Sequence, residues 1–311
     1  MPVFRFSPRG VVAVCAAAAA IGCGSRGTGA TVADSTRVDS PVGSRVTHDD
    51  FGRPLPTGAD ATRIVSINPA TTELLFAIGA GSRLVGRSEY DLFPDSARLV
   101  PSVGPALRPN LEAILRTRPD LVVVYASADD RESADRLTRA GVSVVAFKID
   151  NIEQFERDAI ALGQLTGTAA RAREIVDSIA DTLTRVRAAT ADQPRPTVFL
   201  PIWERPLIVI GGGSFMSELL DIAGARNVYG DLSAPSATVT IEDVVRRNPD
   251  LILASPTTAA TIRASARWRA VPAVRAGRIL VYDTTLIGRP SVRLGAAALS
   301  LAALLHPGAV R

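Results

Sequence analysis

Cysteine is almost absent: Cys15 and Cys23 are the only two in 311 residues. The chain after Cys23 therefore has no disulfide framework, no thiolate metal site and no cysteine nucleophile. Histidine is as scarce, with only His48 and His306. Neither is placed to complete a Ser-His-Asp set, and His306, next to Pro307, is a poor axial ligand. Lys148 is the single lysine, and arginine supplies the rest of the 35 basic residues against 31 acidic ones. The arginines are spread along the chain. No basic tract or aromatic-basic stripe of the kind nucleic acid requires is present, so that partner is excluded. Aromatic residues make up only 5% and hydrophobic residues 47%, a globular composition with length for about two domains. No apolar run is long enough to span a bilayer.

What is present begins with an address label. Arg5 and Arg9 precede an apolar stretch from Gly10 to Ile21, too short for a membrane span but suited to a secretory leader. Ala20-Ile21-Gly22-Cys23 resembles a bacterial lipoprotein box, in which Cys23 would carry the lipid. An ordinary signal peptide cut at a small residue is the alternative. Residues 1–22 are read as a signal peptide. Residues 23–61, rich in Gly, Ser, Thr, Asp and Pro without apolar periodicity, are read as a flexible tether.

From residue 62 short β-rich runs alternate with helical periodicity. Arg63–Ile67, Leu121–Tyr125, Val142–Phe147, Thr197–Pro201, Ile208–Ile210, Leu251–Ala254 and Ile279–Tyr282 read as strands. Asn68-Pro69 supplies a helix start, and Gly79 its stop. This alternation predicts an α/β fold with parallel sheets. Residues 151–190 carry unbroken helical character except around Gly163 and Gly167, and 169–190 predicts one long helix.

The second half repeats the first. Leu111-Glu112 through Pro119-Asp120-Leu121 aligns with Ile241-Glu242 through Pro249-Asp250-Leu251 at an offset of 130. Glu73-Leu74-Leu75 and Gly79-Ala80 align with Glu218-Leu219-Leu220 and Gly224-Ala225 at an offset of 145. Two similar lobes follow, at 62–168 and 194–311, bridged by the helix over 169–190. Ligands of such sheets sit beyond the carboxyl ends of the strands, so a cleft between the lobes is expected. Gly211-Gly212-Gly213-Ser214 lacks the spacing of a phosphate loop and reads as a tight strand-to-helix turn.

Arg63-Ile64-Val65-Ser66, Thr72-Glu73-Leu74-Leu75, Leu84-Val85-Gly86-Arg87-Ser88-Glu89-Tyr90, Gly224-Ala225-Arg226-Asn227-Val228 and the two Pro-Asp-Leu elements together resemble the periplasmic binding proteins of cobalamin, haem and iron-siderophore ABC transporters. The resemblance spans roughly 62–306 and is nearest to cobalamin-binding members. It implies a non-enzymatic, monomeric protein without a resident cofactor or metal. Such a protein captures a metal-chelate small molecule in the periplasm or at the cell surface and delivers it to an ABC permease dimer, its only membrane contact being the lipid anchor. Haem or ferric-siderophore capture, and ligand sensing without transport, are the alternatives.

Candidate ligand residues follow. Tyr90 matches a family ligand contact, where a phenol stacks on a flat macrocycle or ligates iron; the alternative is a tyrosine packed on its own lobe. Trp203, at the carboxyl end of a predicted strand, is suited to cover an apolar ligand face. Arg108 could bond a ligand amide or carboxylate, or simply be solvated. Ser236 lies where cobalamin binders tend to place an aromatic. Arg289 matches a ligand-facing loop and is expected to start the last helix. Trp268 reads as packing. Glu112 and Glu242, equivalent in the two lobes, match the carboxylates that engage permease arginines in the family. Each would also favour its own helix N-terminus.

Overall fold

A computed structural model describes residues 45–58, 60–106 and 109–310; Cys23 and Arg108 lie outside the described residues. The N-terminal lobe runs β1 (Ile64–Ser66), α1 (Pro69–Ala77), β2 (Leu84–Arg87), α2 (Leu111–Arg116), β3 (Leu121–Tyr125), α3 (Ala128–Arg139) and β4 (Ser143–Phe147). Its strands form one parallel sheet in the order β2-β1-β3-β4. The central strand β3 is a run of Leu and Val buried on both faces, as parallel strands covered by helices must be. Side-chain caps start the helices: Asn68 accepts the Ala70 N–H, Asn110 that of Ala113, and Ser127 that of Asp130.

Helices α4 (Ile152–Leu165) and α5 (Ala169–Thr190) follow. Gly163 does not interrupt α4, contrary to expectation. A Cβ there would stand 2.7 Å from the Ala172 side chain, so glycine lets α4 lie directly on α5. The break comes at Gly167, whose φ of +65° takes the chain out of helix. Ala172, Val176, Ile179, Leu183, Val186 and Thr190 are the buried stripe of α5, spaced for one helix face. At 22 residues this helix is about 33 Å long.

The C-terminal lobe comprises β5 (Thr197–Phe199), β6 (Pro201–Glu204), β7 (Leu207–Ile210), α6 (Phe215–Ile222), β8 (Arg226–Asn227), β9 (Ser236–Thr238), α7 (Ile241–Arg247), β10 (Leu251–Ala254), α8 (Pro256–Ala264), α9 (Pro272–Arg275), β11 (Ile279–Val281), α10 (Thr284–Ile287) and α11 (Leu294–Leu305). Strands β11-β10-β5-β8 make the second parallel sheet. A third sheet, β6-β7-β9, is antiparallel. The run at Ile208–Ile210 thus belongs to this small sheet and not to the parallel one, because the chain reverses at Arg205-Pro206 and pairs β7 back onto β6.

Each parallel sheet has two covered faces. One faces its lobe's outer helices: Ile114, Ala134 and Leu137 in the first lobe, Val244, Ile262 and Trp268 in the second. Trp268 is packed in the core against Phe199, with ring centroids 5.7 Å apart. The opposite faces share one continuous core through α1, α4, α5, α6 and α11. The lobes are thereby fixed to a common spine.

The repeat has a structural basis. Arg118 and Asn248, equivalent at offset 130, both take left-handed backbone conformations, φ 49° and 45°. Asp120 then accepts N–H and hydroxyl from Thr62, and Asp250 does the same from Thr197, at 2.7–2.9 Å. These bonds pull the Asp250 carboxyl below its usual range. For Asp120 burial pushes upward, but the bonds from Thr62 and Arg63 outweigh it and the net shift is also down. A depressed folded-state pKa stabilises above the unfolded value and the stability is lost as pH falls through the folded one. The stability gap between wild type and Asp250→Asn, read as urea midpoints, should be open at about pH 7 and close in acid well below about pH 3.9.

Residues 45–58 depart from the expected tether. Asp50 N–H donates to Ala146 O, Ala146 N–H to Asp49 Oδ2, and Arg157 Nη2 to Asp50 Oδ2 at 2.6 Å. Leu55 joins the shared core. Two aspartates that bond the edge strand β4 do what apolar periodicity would otherwise do, which is why composition alone suggested a free chain. Among the described residues no helix is long and apolar enough to cross a membrane.

Candidate ligand cleft and docking face

The carboxyl end of β2 leads into the loop that carries Tyr90. Asp91 anchors this loop: it is fully buried and accepts the Ser88 and Thr72 hydroxyls at 2.6 Å. Burial pushes the Asp91 carboxyl up, and those hydrogen bonds pull against it. With its neighbour fixed, Tyr90 projects 58% exposed. Glu89 beside it raises the phenol pKa, by hydrogen bonding first and charge second.

Trp203 lies within β6, opposite Ile208, not beyond a strand's end as expected, since the chain enters a hairpin directly after β5. Its indole N–H donates to Arg205 O at 3.0 Å, and the ring is 61% exposed. A large ring held by its polar edge, its face in solvent, is an unusual use of tryptophan on a protein surface. Ser236 opens β9 opposite Ile210 and is exposed. The triple glycine beneath is more than a turn. A Cβ at Gly211, Gly212 or Gly213 would run into the carbonyl oxygens of Ala234, Gly230 or Ser233. The loop 230–235 is thus laid on bare backbone, held by Gly211 N–H to Pro235 O and Gly212 N–H to Leu232 O at 3.0 and 2.7 Å. Gly211→Ala forces backbone apart and should destabilise by about 1–3 kcal/mol, measurable by calorimetric melting.

Where the lobes meet, Glu73 of α1 is buried to 1% exposure. It accepts Arg293 Nε and Nη2 at 2.8 and 3.1 Å, and Arg289 Nε lies 3.6 Å away. Arg289 does not start a helix: it lies between α10 and α11, which begins only at Leu294, after Ser291 has accepted the Arg293 N–H. Its Nε has no hydrogen-bond partner although buried. Arg293 also stacks 4.1 Å above the Phe93 ring, in the Tyr90 loop. Glu218, the repeat equivalent of Glu73, accepts the Ile152 N–H at 2.8 Å, and Phe215 N–H bonds Asp150 O. Burial raises the Glu218 pKa. Each lobe's first helix thus sends one carboxylate to the start of the other half's spine helix. The Glu73–Glu218 match is visible in the sequence; their partners, Arg293 for Glu73 and the Ile152 N–H for Glu218, are not.

Among the candidates, the fold therefore joins Arg289 to Glu73 where the lobes meet and sets Tyr90 and Trp203 on separate lobes. Glu112 and Glu242 are exposed in the first turns of α2 and α7. The Glu242 pKa is lowered by its own backbone N–H, then by the Thr240 hydroxyl and the Arg267 charge. A groove of about 530 Å³ runs beside it, bounded by Glu204, Arg205, Thr238 and Arg267.

Residues 64–286 match the model of the periplasmic binding protein family. A curated vitamin B12-binding protein of Yersinia pestis is 30% identical over 215 residues, covering 69% of this chain and 76% of that protein. The periplasmic vitamin B12 binding protein BtuF of Vibrio cholerae superposes with a TM-score of 0.70 at 24% identity, covering 79% of this chain and 96% of that one. A periplasmic heme binding protein from Pseudomonas aeruginosa superposes equally well at 26% identity, covering 80% and 94%. The repeated lobes, the shared helical spine and these matches agree: the chain belongs to the periplasmic binding protein family.

Proposed function

We propose that this chain captures cobalamin or a related corrinoid between its lobes and hands it to an ABC importer. The carrying observation is the pair of outsized exposed rings, Tyr90 and Trp203, one on each lobe of a family that includes vitamin B12-binding relatives. Aromatic faces contribute affinity for a broad macrocycle without ordering long side chains. Ser236 and Arg289 supply hydrogen bonds at the edges, and Arg108 is assigned to the same role. Glu112 and Glu242 meet arginines of the permease dimer. Cys23 carries the lipid that holds the protein at the membrane, outside the cytoplasm, where tethering raises its local concentration around the permease. The spine shared by both lobes supports a cleft formed before ligand arrives.

Haem is the second reading, favoured by the Pseudomonas aeruginosa relative and by the exposed phenol of Tyr90. Calorimetric titration with cyanocobalamin, haemin and a ferric hydroxamate separates the readings. Cyanocobalamin is expected to bind at one equivalent, and Trp203→Ala to weaken it by about 30-fold, the loss of a central aromatic contact. Haemin binding with a spectrum that changes in Tyr90→Phe, and no cyanocobalamin binding, would replace the corrinoid reading.

A further inference from the structure

The two docking helices are attached to the molecule differently. In α7, Arg247 Nη1 donates to Val228 O at 2.8 Å and to Asp231 Oδ1 at 2.7 Å, and Nη2 donates to Asp231 Oδ2 at 2.9 Å. Its Nε reaches back to Asp243 Oδ2 at 3.2 Å. The guanidinium lies 4.3 Å over the Tyr229 ring, and the Tyr229 hydroxyl donates to Asp243 at 2.8 Å. One planar fork therefore fastens α7 to the start of the loop that leads, over the triple glycine, into β9 and Ser236. Bidentate geometry of this kind fixes orientation as well as distance.

Among the described residues the first lobe has no counterpart. At the offset of 130, Thr117 stands where Arg247 does and Ala113 where Asp243 does. The Thr117 hydroxyl only returns to Ile114 O. The arginine that does hold the end of α2 is Arg63, through Arg118 O and Thr117 O. It comes from the amino end of β1, the end of the sheet away from the cleft.

We propose that Arg247 is a positioning residue that registers α7, and so Glu242, against the loop 228–238, making the second lobe's docking point the one that follows the state of the cleft. The inference rests on the reading of Glu242 as a docking group and of the Ser236 loop as ligand-facing. It adds that delivery is sensed asymmetrically: Glu112 offers a constant contact and Glu242 a ligand-dependent one.

Amide hydrogen exchange on the full mature protein tests it, with Arg247→Met, Arg247→Lys and wild type compared, alone and with cyanocobalamin or haemin. In ligand-free Arg247→Met, exchange in 228–238 and in 241–247 should rise together by about tenfold, with 111–116 unchanged. Arg247→Lys should not rescue this, since a compact ammonium cannot reproduce the planar fork that reaches Val228, Asp231 and Asp243 from separate nitrogens while lying over the Tyr229 ring. When a probe binds wild type, α7 should slow by about threefold and α2 should not, and Arg247→Met should lose that response while keeping probe affinity within about threefold. Should that variant fail to fold, Asp231→Asn carries the same comparison, since it leaves Arg247 its bonds to Val228 and Asp243. Exchange rising in α7 alone, or a ligand response of α7 that survives in Arg247→Met, overturns the proposal. Binding of neither probe to wild type overturns the ligand reading instead, and the ligand-free comparison still decides the clamp.

Discussion

Reversing both charges proposed to dock on the permease, Glu112→Arg with Glu242→Arg, is expected to abolish ligand delivery while leaving ligand affinity within about twofold. Both carboxylates are exposed and neither is among the residues proposed to hold the ligand, so affinity should change little. Truncating one partner of a desolvated interfacial pair costs on the order of 2–5 kcal/mol, and reversal adds like-charge repulsion. Two such losses, about 4–10 kcal/mol together, are comparable with the whole affinity of a micromolar complex, about 8 kcal/mol. Uptake of labelled cyanocobalamin in cells carrying the variants, beside calorimetry of the purified proteins, checks both halves of the expectation. Reversal also places a cation at a helix N-terminus, which costs up to about 1 kcal/mol; the Gln variants separate that effect. Undiminished uptake by the double variant would mean that the protein docks elsewhere or senses ligand without transport.

The largest effect on stability is expected from Glu73→Ala. This carboxylate, almost wholly buried, receives two hydrogen bonds from Arg293 and stands beside Arg289. Removing it leaves two guanidiniums of the second lobe, Arg289 and Arg293, without the carboxylate that neutralises them at the lobe junction. Loss of one partner from a buried pair costs about 3–5 kcal/mol; Arg289 is about a third exposed, so solvent screening brings the expectation to about 3 kcal/mol. At roughly 2–4 °C per kcal/mol for a body of this size, the melting midpoint should fall by about 6–12 °C. Glu73→Gln, which keeps one acceptor, should fall by less. A further consequence separates this from generic damage. Arg293 also lies on Phe93, so ligand affinity should weaken in Glu73→Ala through the Tyr90 loop, and bound ligand should recover only part of the lost stability.

The repeat was legible because its parts are short-range. Pro119-Asp120 and Pro249-Asp250 each end a helix, turn through one left-handed residue and return a carboxylate to the adjoining strand, and all of that is written within a dozen residues. Strand β3 and helix α5 were legible for the same reason, one as an unbroken apolar run and the other as an uninterrupted helical period. What escaped depends on distant partners. Glu73 and Arg293 are 220 positions apart, and nothing local marks either as half of a pair. The antiparallel sheet is made of strands of three or four residues, too short to show alternation, and Pro201, read as the end of the strand Thr197–Pro201, in fact begins β6. Gly163 misled because a glycine that admits a neighbouring helix looks, in sequence, like one that ends its own.

Oxidative footprinting by hydroxyl radicals tests the ligand site most directly. The chain has two tryptophans, Trp203 61% exposed and Trp268 3% exposed, so one is the probe and the other its internal control. Saturation with cyanocobalamin should protect Trp203 and Tyr90 together, on opposite lobes, and leave Trp268 as slow as before. Saturable cyanocobalamin binding with Trp203 and Tyr90 still oxidised at their free rates would contradict a ligand held between the lobes.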